Sequence, residues 1–190
     1  KSNERPGTNV TGTSDLTPVE AQIKLARQLI PNLQTIGFLY CSSEQNSKFQ
    51  IDIAKKVCDQ LGIQYVEATV SNSNEIQQVV ESMVGKVDAI YAPTDNTIAA
   101  GMATVGMVAN DNGLRVICGE AGMVEAGGLA TYGIDYYQLG YMAGEQAIEI
   151  LVNSADISQM PIGYLSADKC ELTTNQEMAD TLGIDLSVVK

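Results

Sequence analysis

Short apolar, β-prone segments alternate with longer segments of 3.6-residue periodicity along most of this chain, and that rhythm points to a parallel sheet wound with helices. The strand-like segments are residues 35–40, 65–70, 89–92, 115–118 and 129–133. Between them Phe49, Ile53, Val57 and Leu61 mark one helix closed by Gly62, and Ile76, Val79, Val80 and Met83 mark a second. Residues 96–110, rich in Ala, Gly and Met, form a third helix, and residues 136–152 a fourth. The apolar faces of all four are expected to pack on the sheet. Ahead of the first strand, Thr17, Pro18 and Glu20 supply a capping hydroxyl, a proline at the first helical position and a third-position glutamate. Ile23, Ala26, Leu29 and Ile30 then recur at helical spacing until Pro31 stops the run. The fold class is α/β, a Rossmann-like doubly wound parallel sheet.

The two ends of the chain depart from this rhythm. Residues 1–15 are an extended polar stretch, and after residue 153 come strand-like segments at 162–165 and 171–173 and a short helix at 175–182 closed by Gly183. A strand pair and one helix bury too little apolar surface to stand alone, so the tail is expected to pack on something else.

In an open α/β sheet, ligands bind beyond the carboxyl ends of the strands, where loops lead into helix N-termini with spare N–H groups. The loops in question carry Ser42, Ser43, Glu44, Asn46 and Ser47, then Ser73 and Asn74, then Thr94, Asp95 and Asn96, then Glu120, then Asp135 and Tyr136. Asn46, Ser73, Asn74 and Asp95 sit where helix N-caps belong, so each reads either as a cap or as a ligand contact. Glu120 follows a buried strand and precedes a glycine-containing turn, with no capping pattern of its own. Asp135 fits a cap for the helix that follows, yet with Asp95 and Glu120 it makes three carboxylates on neighbouring loops. Their mutual repulsion calls for a cationic or polyhydroxylated ligand. Tyr132 and Tyr136 flank Asp135 and offer flat contact area with a polar tip; Tyr132 also reads as strand core.

A net charge of −12 would repel phosphate backbones and anionic lipid headgroups, which argues against nucleic acid as a partner. Cys41, Cys58, Cys118 and Cys170 form no C-x-x-C pair and the chain has no histidine, so neither a zinc site nor a redox motif is indicated. They read as small buried hydrophobes. Without histidine, Ser/His/Asp and Cys/His arrangements are excluded, and no glycine-rich phosphate loop or dinucleotide fingerprint is present. Paired carboxylates would still suit a glycosidase or a Mg²⁺ site, but the expectation is binding without catalysis, with no catalytic residue, metal or cofactor. No apolar run spans a bilayer and residues 1–10 lack the layout of a signal peptide, so an export signal or lipid-anchored cysteine is expected upstream.

Four motifs occur in order: residues 9–15 (NVTGTSD), Gly37–Tyr40 with Ser43, Glu44, Asn46 and Ser47, the turn Pro93-Thr94-Asp95-Asn96, and residues 132–140 (YGIDYYQLG). Together they resemble the ABC-transporter substrate-binding family of the tryptophan/tyrosine-receptor type, over nearly the whole chain. The resemblance implies the type I periplasmic-binding-protein fold, two Rossmann-like lobes joined by hinge strands. It implies a linker at residues 1–15, the second ligand-binding lobe at 16–153, and at 154–190 a crossover that completes a largely missing first lobe. It places ligand contacts at Thr94, Asp95 and Asn96, at Glu120, and at Asp135 with Tyr136. An acid among these would pair with a ligand ammonium, and helix N-termini near Ser42, Ser43 or Ser47 would hold its carboxylate. The implied function is capture of an amino acid, plausibly aromatic, in a cleft between lobes, with delivery to ABC permease subunits by an extracytoplasmic protein, periplasmic or lipid-anchored. A sugar or nucleoside receptor on the same fold, and the effector domain of a LacI-like regulator, are the alternatives.

Overall fold

The computed structural model describes residues 2–189. In chain order the elements are β1 (Thr13–Ser14), α1 (Val19–Leu29), β2 (Thr35–Cys41), α2 (Gln45–Leu61), β3 (Gln64–Val70), α3 (Ile76–Met83), β4 (Ala89–Ala92), α4 (Asn96–Ala100), α5 (Met102–Asp111), β5 (Arg115–Cys118), α6 (Ala121–Glu125), β6 (Ala130–Gly133), α7 (Tyr136–Leu151), β7 (Gly163–Tyr164), β8 (Glu171–Thr174) and α8 (Gln176–Leu182). They divide into two compact units. The larger holds Thr17–Gly133 and the residues from Leu172 on; the smaller holds the residues up to Leu16 and Ile134–Glu171.

The larger unit is built on a sheet ordered β3-β2-β4-β5-β6-β8, in which β3 to β6 run parallel. The alternating character of each strand explains why helices cover both faces. Ile36, Phe38 and Tyr40 of β2 point into one core with α1 and α2, while Leu39 and Cys41 point into another with α3, α5 and α6. Both cores are apolar, and each fully buried Ile, Leu or Phe in them contributes roughly 1.5–3 kcal/mol. Chain order reverses between β2 and β4, which is the topological switch point of a doubly wound sheet.

Several sequence expectations change on inspection. The single helix expected at 96–110 is two, α4 and α5, broken at Gly101. A Cβ there would lie 2.3 Å from Ile76 Cδ1, so a larger residue would make the tip of that α3 side chain shift. No Thr17 capping bond forms: Pro18 is the N-cap residue of α1 with no side-chain bond, and the Thr17 hydroxyl donates to Gln50 Oε1 at 3.4 Å. The segment from Leu172 on supplies Met178, Ala179, Leu186 and Val189 to the α1/α2 core, which gives the otherwise unpaired tail its packing.

In the smaller unit β1 pairs in parallel with β7, Thr13 opposite Gly163, and Met142 and Gln146 of α7 lie against Gly163. Helix α7 therefore does not lie in the unit that holds the six-stranded sheet, contrary to the expectation for all four helices. Its apolar residues Tyr137, Tyr141, Ile148 and Leu151 are exposed, and Leu139 is its buried residue. Among the described residues no helix is long and apolar enough to cross a membrane.

Candidate functional site

At the switch point the loops after β2 and β4 are tied together by carboxylates. Asp95, 3% exposed, accepts from Cys41 N and Ser47 Oγ at 2.7 Å each through Oδ2, and from Ile98 N at 2.9 Å through Oδ1. It is at once the N-cap of α4 and the link from α4 to β2 and α2. Burial pushes its carboxyl above the usual range and the neighbouring Glu44 charge adds to this, while the three donors act the other way. Glu44 takes the remaining donors of α4: Oε2 accepts from Asn96 N at 3.0 Å and Asn96 Nδ2 at 3.1 Å, Oε1 from Thr97 N and Thr97 Oγ1 at 3.0 Å. Burial would raise this carboxyl, but the backbone donors of Asn96 and Thr97 hold it below its ordinary value.

Glu120 is the N-cap of α6, its oxygens accepting from Gly122 N and Met123 N at 2.8 Å each. This corrects the expectation that it lacks a capping role. Glutamate is an uncommon cap and α6 has only five residues, so neither signal stood out in the sequence. Asp135, in the smaller unit, caps α7 through Tyr137 N at 2.8 Å and Gln138 N at 3.2 Å; Tyr136 is the first residue of that helix and exposed. Asp95, Glu120 and Asp135 thus each face a different helix N-terminus, and Glu44 shares that of α4 with Asp95. Backbone N–H groups therefore supply part of the compensation that the three acids call for.

Helix α2, which follows β2 at the switch point, runs 17 residues, and its N-cap residue Glu44 makes no side-chain capping bond. Around its N-terminus stand Ser42, whose backbone N–H donates to Val70 O at 2.9 Å, and exposed Ser43, whose hydroxyl lies 3.2 Å from Cys41 Sγ. That contact pulls the Cys41 thiol below its ordinary range, against the effect of burial. Asn46 Nδ2 donates to Thr94 O at 3.0 Å. Asn96 is exposed and Thr94 half-buried, whereas Ser47 is fully buried and serves Asp95. Tyr132 is half-buried against the α1/α2 core.

Two buried glutamines escaped sequence reasoning. Gln22 and Gln50 reach from α1 and α2 to the loops after β4 and β5 and to β6 itself. A signal existed, because each occupies a core-facing helical position, Gln22 with Val19, Ile23 and Ala26, and Gln50 with Ser47, Ile51 and Ala54.

The opposite, amino-end edge of the sheet carries a concavity of about 390 Å³ lined by Pro31, Asp88, Arg115 and Ile184 among others. Asp88 there is occupied by Gln34 N and Thr35 N, both at 2.8 Å. The carboxyl-end edge is the better candidate, because there the loops at the switch point meet the N-terminus of α2, which has no side-chain cap. Its groups suit reversible recognition of a small molecule with an anionic end.

The family profile described as ABC transporter substrate binding protein matches residues 1–188. A tyrosine-binding protein of Clostridioides difficile is 41% identical over 182 residues, which are 96% of this chain and 52% of that protein. An ABC domain in complex with L-Trp from Streptococcus pneumoniae superposes with a TM-score of 0.90 at 38% identity, covering 100% of this chain and 65% of that one. A ligand-free, open substrate-binding protein with adhesive properties from Clostridium difficile superposes with a TM-score of 0.79 at 41% identity, covering 97% of this chain and 62% of that one. The chain therefore spans about half the length of the curated relative. Sugar-binding proteins and a LacI family regulator match at 11–15% identity and share the fold alone.

Proposed function

The chain belongs to the ABC transporter substrate binding protein family, and on that premise we propose that it captures an aromatic amino acid for delivery to a membrane permease. The observation that carries this reading is the 41% identity, over 96% of the chain, to a tyrosine-binding protein. Local geometry supports it. The ligand α-carboxylate is assigned to the open N-terminus of α2, where backbone N–H groups and the exposed Ser43 hydroxyl favour an anion, the Ser42 hydroxyl being turned to Val70 O at 3.4 Å. The ammonium is assigned to Glu120, whose two oxygens each accept one capping bond and retain further lone pairs. Thr94, Asn96 and Tyr132 would line the same edge, with Tyr132 offering ring surface. Asp95, Glu44 and Ser47 act behind it, fixing the loops. Asp135 and Tyr136 are carried as contacts by the family resemblance. In this reading the larger unit is a ligand-binding lobe.

The protein binds without turnover, uses differential affinity of open and closed states to hand over its ligand, and works outside the cytoplasm, periplasmic or held by a lipid anchor. Thermal unfolding with L-Tyr, L-Trp, L-Phe, arabinose and adenosine tests it. A ligand at 100 times its Kd stabilises by roughly 2.7 kcal/mol. A shift with the aromatic amino acids is expected; a shift with arabinose or adenosine alone would overturn the choice of ligand.

A further inference from the structure

A buried primary amide destabilises unless its donors and acceptor are all used, so a pair of them in two apolar helix faces calls for a reason. Gln22 is fully buried and Gln50 is 3% exposed. Gln22 Nε2 donates to Tyr132 O at 2.8 Å and Gly119 O at 3.0 Å, with Thr131 Oγ1 at 3.3 Å, and its Oε1 accepts from Tyr91 OH at 2.7 Å. One side chain on α1 thus grips the ends of β5 and β6 and is itself held from β4. Gln50 Oε1 accepts from Thr94 Oγ1 at 2.6 Å and Thr94 N at 3.2 Å, and its Nε2 donates to Thr94 O at 3.2 Å. All three polar groups of Thr94 therefore end on one amide.

Gly119 joins the two grips. A Cβ on it would lie 2.2 Å from Thr94 N and 2.4 Å from the Pro93 carbonyl carbon, so the loop after β5 rests directly on the loop after β4. Gln50 holds the lower loop, Gln22 the upper, and the next residue along is Glu120.

We propose that Gln22 and Gln50 are positioning residues for ligand binding: acting from behind the site, they fix Thr94, Glu120 and Tyr132 relative to the α2 N-terminus. This rests on the amino-acid-receptor reading given above. Neither glutamine touches the ligand. They pre-form the edge, so that binding does not have to order three loops.

The test compares Gln22→Met and Gln50→Met, which keep the unbranched shape and remove the amide, with Val108→Ala, a core change in α5 remote from both amides. Affinity of the full chain for L-tyrosine is measured by calorimetry, stability by urea unfolding, and exchange of the Gly122, Met123 and Ile98 amides by NMR in the free chain. Each glutamine variant is expected to bind L-tyrosine about tenfold more weakly or worse and to speed exchange at the loop amides, whereas Val108→Ala loses stability and keeps its affinity. Wild-type affinity in both glutamine variants, or an equal loss in Val108→Ala, would overturn the proposal. If the wild type takes up no L-tyrosine, the receptor reading fails instead. The amide exchange then decides by itself whether the glutamines hold the loops, unchanged rates overturning that as well. Should a methionine variant fail to fold, Gln22→Asn and Gln50→Asn, which keep the amide and shorten its reach, take its place with the same outcomes.

Discussion

Replacing Asp95 is expected to cost more stability than replacing any other carboxylate at the sheet edge, and the structure indicates how much. Its oxygens accept from Cys41 N, Ser47 Oγ and Ile98 N, and the Glu44 carboxyl stands beside it and, with burial, favours its protonated form. Hydrogen bonds to a charged group contribute about 1.5–3 kcal/mol each, and loss of an N-cap costs about 0.5–2 kcal/mol. These overlap, because the Ile98 bond is the cap. Asp95→Ala strands two buried backbone donors, while the Ser47 hydroxyl can rotate to another acceptor, so about 3–5 kcal/mol is expected. Asp95→Asn keeps one acceptor for Ile98 N but turns an NH₂ toward Cys41 N, and about 2–3 kcal/mol is expected. Urea unfolding at neutral pH measures both, with an unchanged m-value certifying that the folded and unfolded states are otherwise comparable. A loss under about 0.5 kcal/mol for Asp95→Asn would refute the idea that this carboxyl ties α4 to β2 and α2.

Two further outcomes follow from the same edge. Glu44 is held below its ordinary value of 4.5, so the unfolded chain binds its proton more readily. Its contribution is complete above that value and drains away as pH falls through the folded pKa; Glu44→Gln should therefore flatten the acid limb of a urea-midpoint profile between pH 7 and pH 3, and an unaltered limb would count against the cap. Glu120→Gln, which retains one capping oxygen, should cost under about 1 kcal/mol of stability yet weaken L-tyrosine binding about tenfold by calorimetry. Unchanged affinity would remove Glu120 from the site.

The sheet was legible because its central strands are buried on both faces and its helices carry apolar stripes, the two patterns that periodicity detects. Polar residues at the strand ends were legible as a group through the switch-point rule, and Asp95 as a cap through its position. Glu120 was not, because a glutamate that spans two amides of a five-residue helix looks in sequence like an acid before a turn. Gln22 and Gln50 were passed over for a related reason: an amide on an apolar stripe reads as a lapse in the pattern until its partners, up to 110 residues away, are known. Helix α7 misled in the opposite direction. Its apolar residues have the right spacing for a core helix, and periodicity carries no information about which unit supplies the core.

The larger unit is discontinuous in sequence: Thr17–Gly133 is completed only by residues from Leu172 on, which bring Met178, Ala179, Leu186 and Val189 against α1 and α2. On a ribosome this imposes a wait. At roughly 5–20 residues per second, the stretch from 134 to 189 takes about 3–11 seconds to make, and for that time one face of the first two helices has been synthesised without its cover. The nascent chain must pass through a state with an open hydrophobic seam, and chaperone capture has that interval in which to act before α8 and the residues after it close the seam.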